Sequence, residues 1–381
     1  MKIGWNGWFL CQPYTGIGQY TLNLIKALGR IEPTYQWLVV IPCKIPPKQL
    51  NFPSSVQIKV LPEKKIPIAS LRKFYWEQVQ VPNFFKKEHV DIAHYPYPSN
   101  PFFPGRRNTK TVVTVHDTIP WELPEYRRCL RTRLYQSYTR KALKKADLLI
   151  AVSQSTALAL LAHFSYPHKA VTVIHEAPDP IFTKRIAKKR LSKPYFIYVG
   201  GYDPRKNVKR LVEAFNAYIA PYFKTDLLLV GAKNLNQSRY RSFPETKALQ
   251  SLLKATANSS HLPGRLILLP SLPPRELAAY YHGALALVNF SLAEGFNIPL
   301  LEGAACGIPL ITSDLPIHRE IIGHKVLCCD PQHIKTIGET LLNFLRNDTM
   351  QLWLKSASKQ IAANYSWEKT AFETLAIYNS I

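Results

Sequence analysis

The chain has 381 residues, 46% of them hydrophobic and 19% charged, a globular balance that excludes wholesale disorder and a length that exceeds one small module. It carries 49 Lys and Arg against 25 Asp and Glu, a net charge of +24, and residues 1–190 hold 29 of the basic and 11 of the acidic residues. No apolar run of about 18 residues could span a membrane, and the N-terminus MKIGWNGWFL lacks the apolar core and cleavage site of a signal peptide.

In chain order, short apolar runs at Trp37–Ile41, Val56–Leu61, Asp91–Tyr95, Thr111–His116 and Leu148–Ser153 read as strands. Amphipathic stretches such as Tyr20–Leu28 and Leu134–Leu143 lie between them. Alternation of this kind predicts a parallel sheet with crossover helices. The basic stretch Lys184–Arg190 interrupts the pattern, which restarts with a strand at Tyr195–Val199 and a helix through Leu211–Ile219. Further strands are expected at Leu227–Val230, Leu266–Leu269, Leu285–Phe290 and Pro309–Thr312, and a helix with loose flanks within 233–263. The expected fold class is α/β, with two Rossmann-like domains, 1–187 and 188–364. The six cysteines show no C-x-x-C and no metal spacing, and a chain this long needs no disulfide staples, so a reducing cytoplasm is the default expectation.

Four segments carry candidate chemistry. Thr15-Gly16-Ile17-Gly18-Gln19-Tyr20 follows the first strand and opens a helix, where Gly16 and Gly18 would let backbone N–H groups approach a phosphate. The G-x-G-x-x-G dinucleotide fingerprint is absent, because position 21 is Thr. His116-Asp117 stands at the carboxyl end of a strand, where open α/β sheets bind ligands, and a neutral His116 imidazole there could contact a sugar hydroxyl or steer an acceptor. Gly200-Gly201-Tyr202-Asp203-Pro204-Arg205-Lys206-Asn207 places two adjacent cations between a glycine turn and a helix, a layout for holding a diphosphate. Ser291 to Gly303 reads S-L-A-E-G-F-N-I-P-L-L-E-G, with Glu294 in a loop, Pro299 in a first helical turn and Glu302 in the helix that follows.

Together these segments resemble the retaining glycosyltransferases of family 4. The resemblance runs over nearly the whole chain through T-G-I-G-x-Y, V-V-T-V-H-D, A-D-L-L-I-A-V-S, P-R-K-N and E-G-F-N-I-P-L-L-E-G-A-A-C-G-I-P-L-I-T-S. It implies the GT-B fold, two Rossmann-like domains facing each other across a donor-binding cleft. The first domain would be the acceptor side, and a C-terminal helix, 365–381, would cross back onto it. Gly16, Gly18, Gly200, Gly201, Gly295, Phe296, Asn297 and Glu302 would bind the nucleotide-sugar donor, with Glu302 on the ribose. His116, Glu294, Arg205 and Lys206 would be catalytic: His116 near the transferring sugar, Glu294 on it, and the two cations on the departing diphosphate. Gly201 stands where many relatives carry Arg, and Asn297 and Ala177 where many carry Gly. No D-x-D motif accompanies these segments, so no metal and no other cofactor is expected.

Eight cations, Arg127, Arg128, Arg131, Arg133, Arg140, Lys141, Lys144 and Lys145, crowd a stretch without acids. Leu130, Leu134, Tyr138 and Leu143 would give that stretch an apolar stripe, so an anionic membrane surface is an expected partner. The expected activity is transfer of a hexose, with GDP-mannose the first choice of donor, to a hydroxyl of a saccharide or lipid-linked acceptor. The enzyme would be cytoplasmic and peripheral on the membrane. The alternative raised by the charge is a nucleic-acid-binding protein on a Rossmann scaffold, against which no RNP, zinc or helix-turn-helix signature is present. A nicotinamide-dependent dehydrogenase is disfavoured by the missing third glycine.

Overall fold

The computed structural model describes residues 1–45, 50–101, 109–127, 130–164, 171–231, 244–257 and 262–381. The chain divides into two compact units, Met1–Ala177 with Ser366–Ile381, and Pro178–Tyr365. The expected boundary at 187/188 is therefore too late. The basic stretch Lys184–Arg190 belongs to the second unit, where Lys189 N–H donates to Ala279 O at 2.8 Å and Tyr195 Oη donates to Lys189 O at 3.1 Å.

Among the described residues the first unit is built on seven parallel strands: β1 (Lys2–Asn6), β2 (Gln36–Ile41), β3 (Val56–Val60), β4 (Ile92–Tyr95), β5 (Lys110–Val115), β6 (Leu148–Ala151) and β7 (Val171–Val173), in the order β3-β2-β1-β4-β5-β6-β7. Its inner strands are apolar on both faces, as a sheet covered by helices on both sides requires. Leu38, Val40, Tyr95, Val113, Val115 and Leu149 pack with Trp76, Phe85 and Leu160 in one core. The helix Gly16–Ile31 starts at Thr15, whose Oγ1 accepts from Gly18 N–H at 3.1 Å. The last helix, Trp367–Asn379, is capped by Ser366, whose Oγ accepts from Lys369 N–H at 3.1 Å. It packs on the helix Gly16–Ile31, with the Trp367 and Tyr20 rings 5.9 Å apart, and Tyr378 Oη reaches Nδ1 of the buried His94 at 2.5 Å.

Among the described residues the second unit has six parallel strands: β8 (Tyr195–Val199), β9 (Asp226–Val230), β10 (Leu266–Leu269), β11 (Ala286–Asn289), β12 (Leu310–Ser313) and β13 (Leu327–Cys329), in the order β10-β9-β8-β11-β12-β13. Val212, Phe215, Leu227, Leu229, Val288, Ile311, Leu341 and Phe344 form its core. The strand order reverses between β8 and β11, which makes the carboxyl ends of those two strands the crevice where such sheets take ligands. Within 233–263, the helix Pro244–Ala257 is present, and 232–243 and 258–261 lie outside the described residues. Among the described residues no helix is long and apolar enough to cross a membrane.

Cys11 and Cys43 are joined by a disulfide, their Cα atoms 6.4 Å apart, against the expectation that nothing here calls for one. Parallel pairing of β1 with β2 brings together the segments that follow them, a juxtaposition that cysteine spacing does not reveal.

Candidate active site

The second unit gathers charge at its switch point. After β8, Gly200 is held to a glycine by Tyr198: a Cβ there would lie 2.8 Å from the Tyr198 Oη, which donates to Gly201 O at 2.5 Å. The turn Pro204–Lys206 follows, closed by Asn207 in the left-handed region at φ 56°. The Asn207 amide donates to Phe290 O at 3.0 Å and Pro331 O at 2.7 Å, and Leu292 N–H donates to Arg205 O at 2.7 Å. These bonds lock the two cations against the loop that leaves β11.

In that loop Glu294 receives both of them. Arg205 Nη1 donates to Oε2 at 2.6 Å and Lys206 Nζ to Oε1 at 2.5 Å, while Ser291 Oγ donates to Oε1 at 2.7 Å. Asp203 adds a second carboxylate, 3.1 Å from Arg205 Nε. The Glu294 side chain is only 4% exposed, against 19% for Arg205 and 11% for Lys206. Burial alone would raise its pKa, but Lys206 and Arg205 outweigh burial and hold it at about 2. The sequence expectation put the cations on a diphosphate. Here they are paired with carboxylates, two against two, and the Lys206 ammonium and the Arg205 guanidinium have more N–H donors than these contacts use.

Glu302 stands apart from this cluster. It lies in the helix Ile298–Ala305, where Tyr281 Oη donates to its Oε2 at 3.0 Å. Burial pushes its pKa up to about 7, and the Asp179 charge adds to the rise, while the Tyr281 bond opposes it. Asn297, which precedes that helix, has φ 80°, a region glycine enters freely and Asn tolerates, and this explains the exchange of Gly for Asn at this position. Its side chain is buried between Asn289 and His318, with Nδ2 2.9 Å from His318 Nε2. The Phe296 ring is also buried, 6.2 Å from Tyr365, so Phe296 can offer a ligand its main chain only.

In the first unit His116 follows β5. Its Nε2 lies 2.9 Å from Pro96 O and its Nδ1 lies 2.8 Å from Glu176 Oε1. Nε2 is thus taken up by a backbone carbonyl, whereas Nδ1 lies against the Glu176 carboxylate without an aligned hydrogen bond. The two glycines of the opening helix also differ. A Cβ on Gly18 would meet Gln12 O at 2.5 Å, so close backbone packing requires that glycine, whereas a Cβ on Gly16 would meet nothing within 4 Å. Among the described residues no three His, Cys, Asp or Glu side chains converge in a group that could hold a metal.

Family profiles cover almost the whole of this architecture. One described as "Glycosyl transferases group 1" matches residues 181–365, and one described as "Glycosyltransferase Family 4" matches residues 14–180. The chain belongs to the group 1 glycosyltransferases. The O-antigen chain mannosyltransferase B of Escherichia coli is 25% identical over 390 residues, covering 96% of both chains. Sucrose-phosphate synthase from Thermosynechococcus elongatus superposes with a TM-score of 0.78 at 18% identity, over 100% of this chain and 98% of that one. The Anabaena HepE structure in complex with UDP-glucose gives a TM-score of 0.72 at 14% identity, over 100% of both chains. The fold of this glycosyltransferase is GT-B.

The basic helix of the glycosyltransferase, Leu130–Lys145, differs from its expected amphipathic form. Leu143 is buried and Tyr138 points inward, its Oη donating to Glu77 Oε2 at 3.2 Å, but Leu134 is 62% exposed. The apolar stripe is thus split between two faces. Arg133, Arg140, Lys141, Lys144 and Lys145 are exposed. Arg128 and the side chains of Arg127, Leu130 and Arg131 lie outside the described residues. Reading the sequence of this glycosyltransferase missed Tyr281, His318, Asn207 as a clamp, and Glu176. Only Asn207 left a signal, inside P-R-K-N.

Proposed function

We propose that this glycosyltransferase moves a hexose from a nucleotide-sugar to a hydroxyl of a lipid-linked or growing polysaccharide, with retention of anomeric configuration. The observation that carries the reading is the Arg205–Lys206–Glu294 cluster at the β8/β11 switch point. As the glycosidic bond breaks, negative charge grows on the departing nucleoside diphosphate. Arg205 and Lys206 supply preorganised donors for that charge. The two cations do the work that a divalent ion does elsewhere, so the reaction runs without a metal, and turnover in excess chelator tests this. Glu294, ionised at any working pH, is freed to accept from sugar hydroxyls when the cations turn to the diphosphate. Retention follows from attack on the face that the diphosphate leaves.

GDP-mannose is the first donor to test, a choice supported by likeness to an O-antigen chain mannosyltransferase. UDP-glucose, named with the Anabaena structure, is the second. The exposed cations of the helix Leu130–Lys145, with Leu134 and Tyr135 exposed among them, support binding to anionic lipid on the cytoplasmic face, at about 1 kcal/mol per near-surface cation. The deciding experiment incubates the full chain with a panel of sugar nucleotides and follows hydrolysis and thermal unfolding. A bound donor at a hundredfold excess over Kd raises stability by roughly 2.7 kcal/mol. Tight DNA binding with no nucleotide-sugar response would favour the nucleic-acid alternative.

A further inference from the structure

His318 lies in the helix Pro316–Ile322 and is 1% exposed. Its Nδ1 lies 2.8 Å from Ser313 O and 2.8 Å from Thr312 Oγ1. A carbonyl only accepts, and the Thr312 hydroxyl gives its hydrogen to Asn289 O at 2.9 Å, so Nδ1 carries the ring hydrogen. In a neutral imidazole Nε2 is then a bare acceptor. Asn297 Nδ2, 2.9 Å away, donates to it. The other end of that amide agrees. Asn297 Oδ1 accepts from Asn289 Nδ2 at 3.4 Å, and Asn289 Oδ1 accepts Ser291 N–H at 3.3 Å. Donor meets acceptor at each step from Ser313, at the end of β12, to Ser291, in the loop that carries Glu294.

Asn297 needs such a partner. At φ 80° it takes a turn that glycine enters freely, but its amide is buried, and an unpaired buried donor is costly. The charges around the ring come from three other elements. Glu294, after β11, and Asp314, after β12, favour a charged ring, and Lys206, after β8, opposes it. On its own helix Arg319 is tied to Asp314 at 2.5 Å, and His324 and Cys328 line the small crevice beside the ring. Burial is the largest influence, and it holds the ring below the ordinary 6.5, so His318 is neutral at pH 7.

We propose that His318 is a positioning residue for the donor loop: its Nε2 lone pair holds the Asn297 amide, and through it the left-handed turn between Glu294 and the helix that carries Glu302. This rests on the reading of that loop as part of the nucleotide-sugar site. A proton added to Nε2 turns the acceptor into a donor that faces a donor. Flipping the Asn297 amide does not cure this. It passes the mismatch to Asn289 and then to Ser291 N–H, a main-chain donor that cannot flip. The neutral ring is present above its folded-state pKa and is lost as pH falls through it, so donor affinity has an acid limb below pH 6.5, apart from the change at about 7 that belongs to Glu302.

Binding of GDP-mannose and UDP-glucose to the full chain between about pH 5 and pH 8 tests it, beside nitrogen-15 NMR of the histidine rings. His318→Leu should weaken donor binding at pH 8 about tenfold, the scale of one buried partner lost. The same substitution should cost much less in Asn297→Gly, where no amide is left to hold. His318→Gln keeps an acceptor that does not titrate. It should restore most of the binding and remove the acid limb, and it carries the test where His318→Leu fails to fold. In the wild type at pH 8 the His318 signals, identified by their loss in His318→Gln, should show Nδ1 protonated and Nε2 bare. Equal cost of His318→Leu in both backgrounds, an acid limb that persists in His318→Gln, or a ring protonated on Nε2 at pH 8 overturns the proposal. Failure of the wild type to bind either nucleotide-sugar would instead overturn the donor-site reading, while the NMR still decides whether His318 accepts from Asn297.

Discussion

The loop that carries Glu294 and the helix that carries Glu302 place the same side chain in opposite electrical settings. Both carboxylates are largely withdrawn from water. Glu294 meets two cations and is held at about 2, whereas Glu302 meets one neutral hydroxyl and is pushed up to about 7. Burial acts in the same direction on both, so the partner decides the outcome. One carboxylate is a permanent charge built into an ion cluster. The other changes its charge within the working pH range, and its power to accept hydrogen bonds changes with it.

The sharpest way to break this comparison is to remove the cations. Lys206→Ala and Arg205→Ala should each lower turnover about 10²–10³-fold, the cost of losing a donor aimed at developing charge. Steady-state kinetics with a melting curve checks this, and near-wild-type turnover in both variants would remove the cluster from the mechanism.

Next in size is the separation of the two glutamates. Glu294→Gln should lower kcat more than it changes donor affinity, because its contact strengthens in the transition state. Glu302→Gln should raise donor KM with a smaller change in kcat, as expected for a ribose contact far from the bond that breaks. Equal effects on both parameters in both variants would erase the distinction.

The pH dependence of donor affinity sharpens it further. With a pKa of about 7, the ionised fraction of Glu302 rises about tenfold between pH 6 and pH 8, and donor affinity should improve by about that factor. The improvement should be absent in Glu302→Gln. Stability runs the other way. The folded-state pKa is raised above the ordinary 4.5, so the contribution to stability is present below about pH 4.5 and is lost as pH rises through about 7. Thermal unfolding across that window should show this loss in the wild type and not in Glu302→Gln.

The smallest effect belongs to Tyr281. Its hydroxyl donates to Glu302 and lowers the carboxyl pKa. Tyr281→Phe should therefore move the affinity profile to higher pH and cost about 1 kcal/mol of stability, the net worth of one hydrogen bond. An unmoved profile would show that Tyr281 only packs.

Much of this was legible in the sequence. The inner strands of both sheets stand out as apolar runs because they are buried on two faces, and E-G-F-N-I-P-L-L-E places Glu294 and Glu302 in their loop and helix. The three-residue strands β7 and β13 were not, since runs that short carry no period. Nor were the partners that tune the site. Tyr281 and Glu302 are 21 residues apart, as are Asn297 and His318, and Cys11 and Cys43 are 32 apart. Only the folded chain brings such pairs together. Arg205 and Lys206 were visible as cations but not as the partners of Glu294, because one loop has to be clamped to another by Asn207 before they meet.

The central claim is that the Arg205–Lys206–Glu294 cluster holds the diphosphate of a nucleotide-sugar. Its most direct test is binding and cleavage of GDP-mannose and UDP-glucose by the wild type beside Lys206→Ala. At least one donor should raise the melting temperature of the wild type and release its nucleoside diphosphate, with cleavage falling about 10²-fold or more in Lys206→Ala. Cleavage that is undiminished in Lys206→Ala, or no response of the wild type to any nucleotide-sugar, would contradict it.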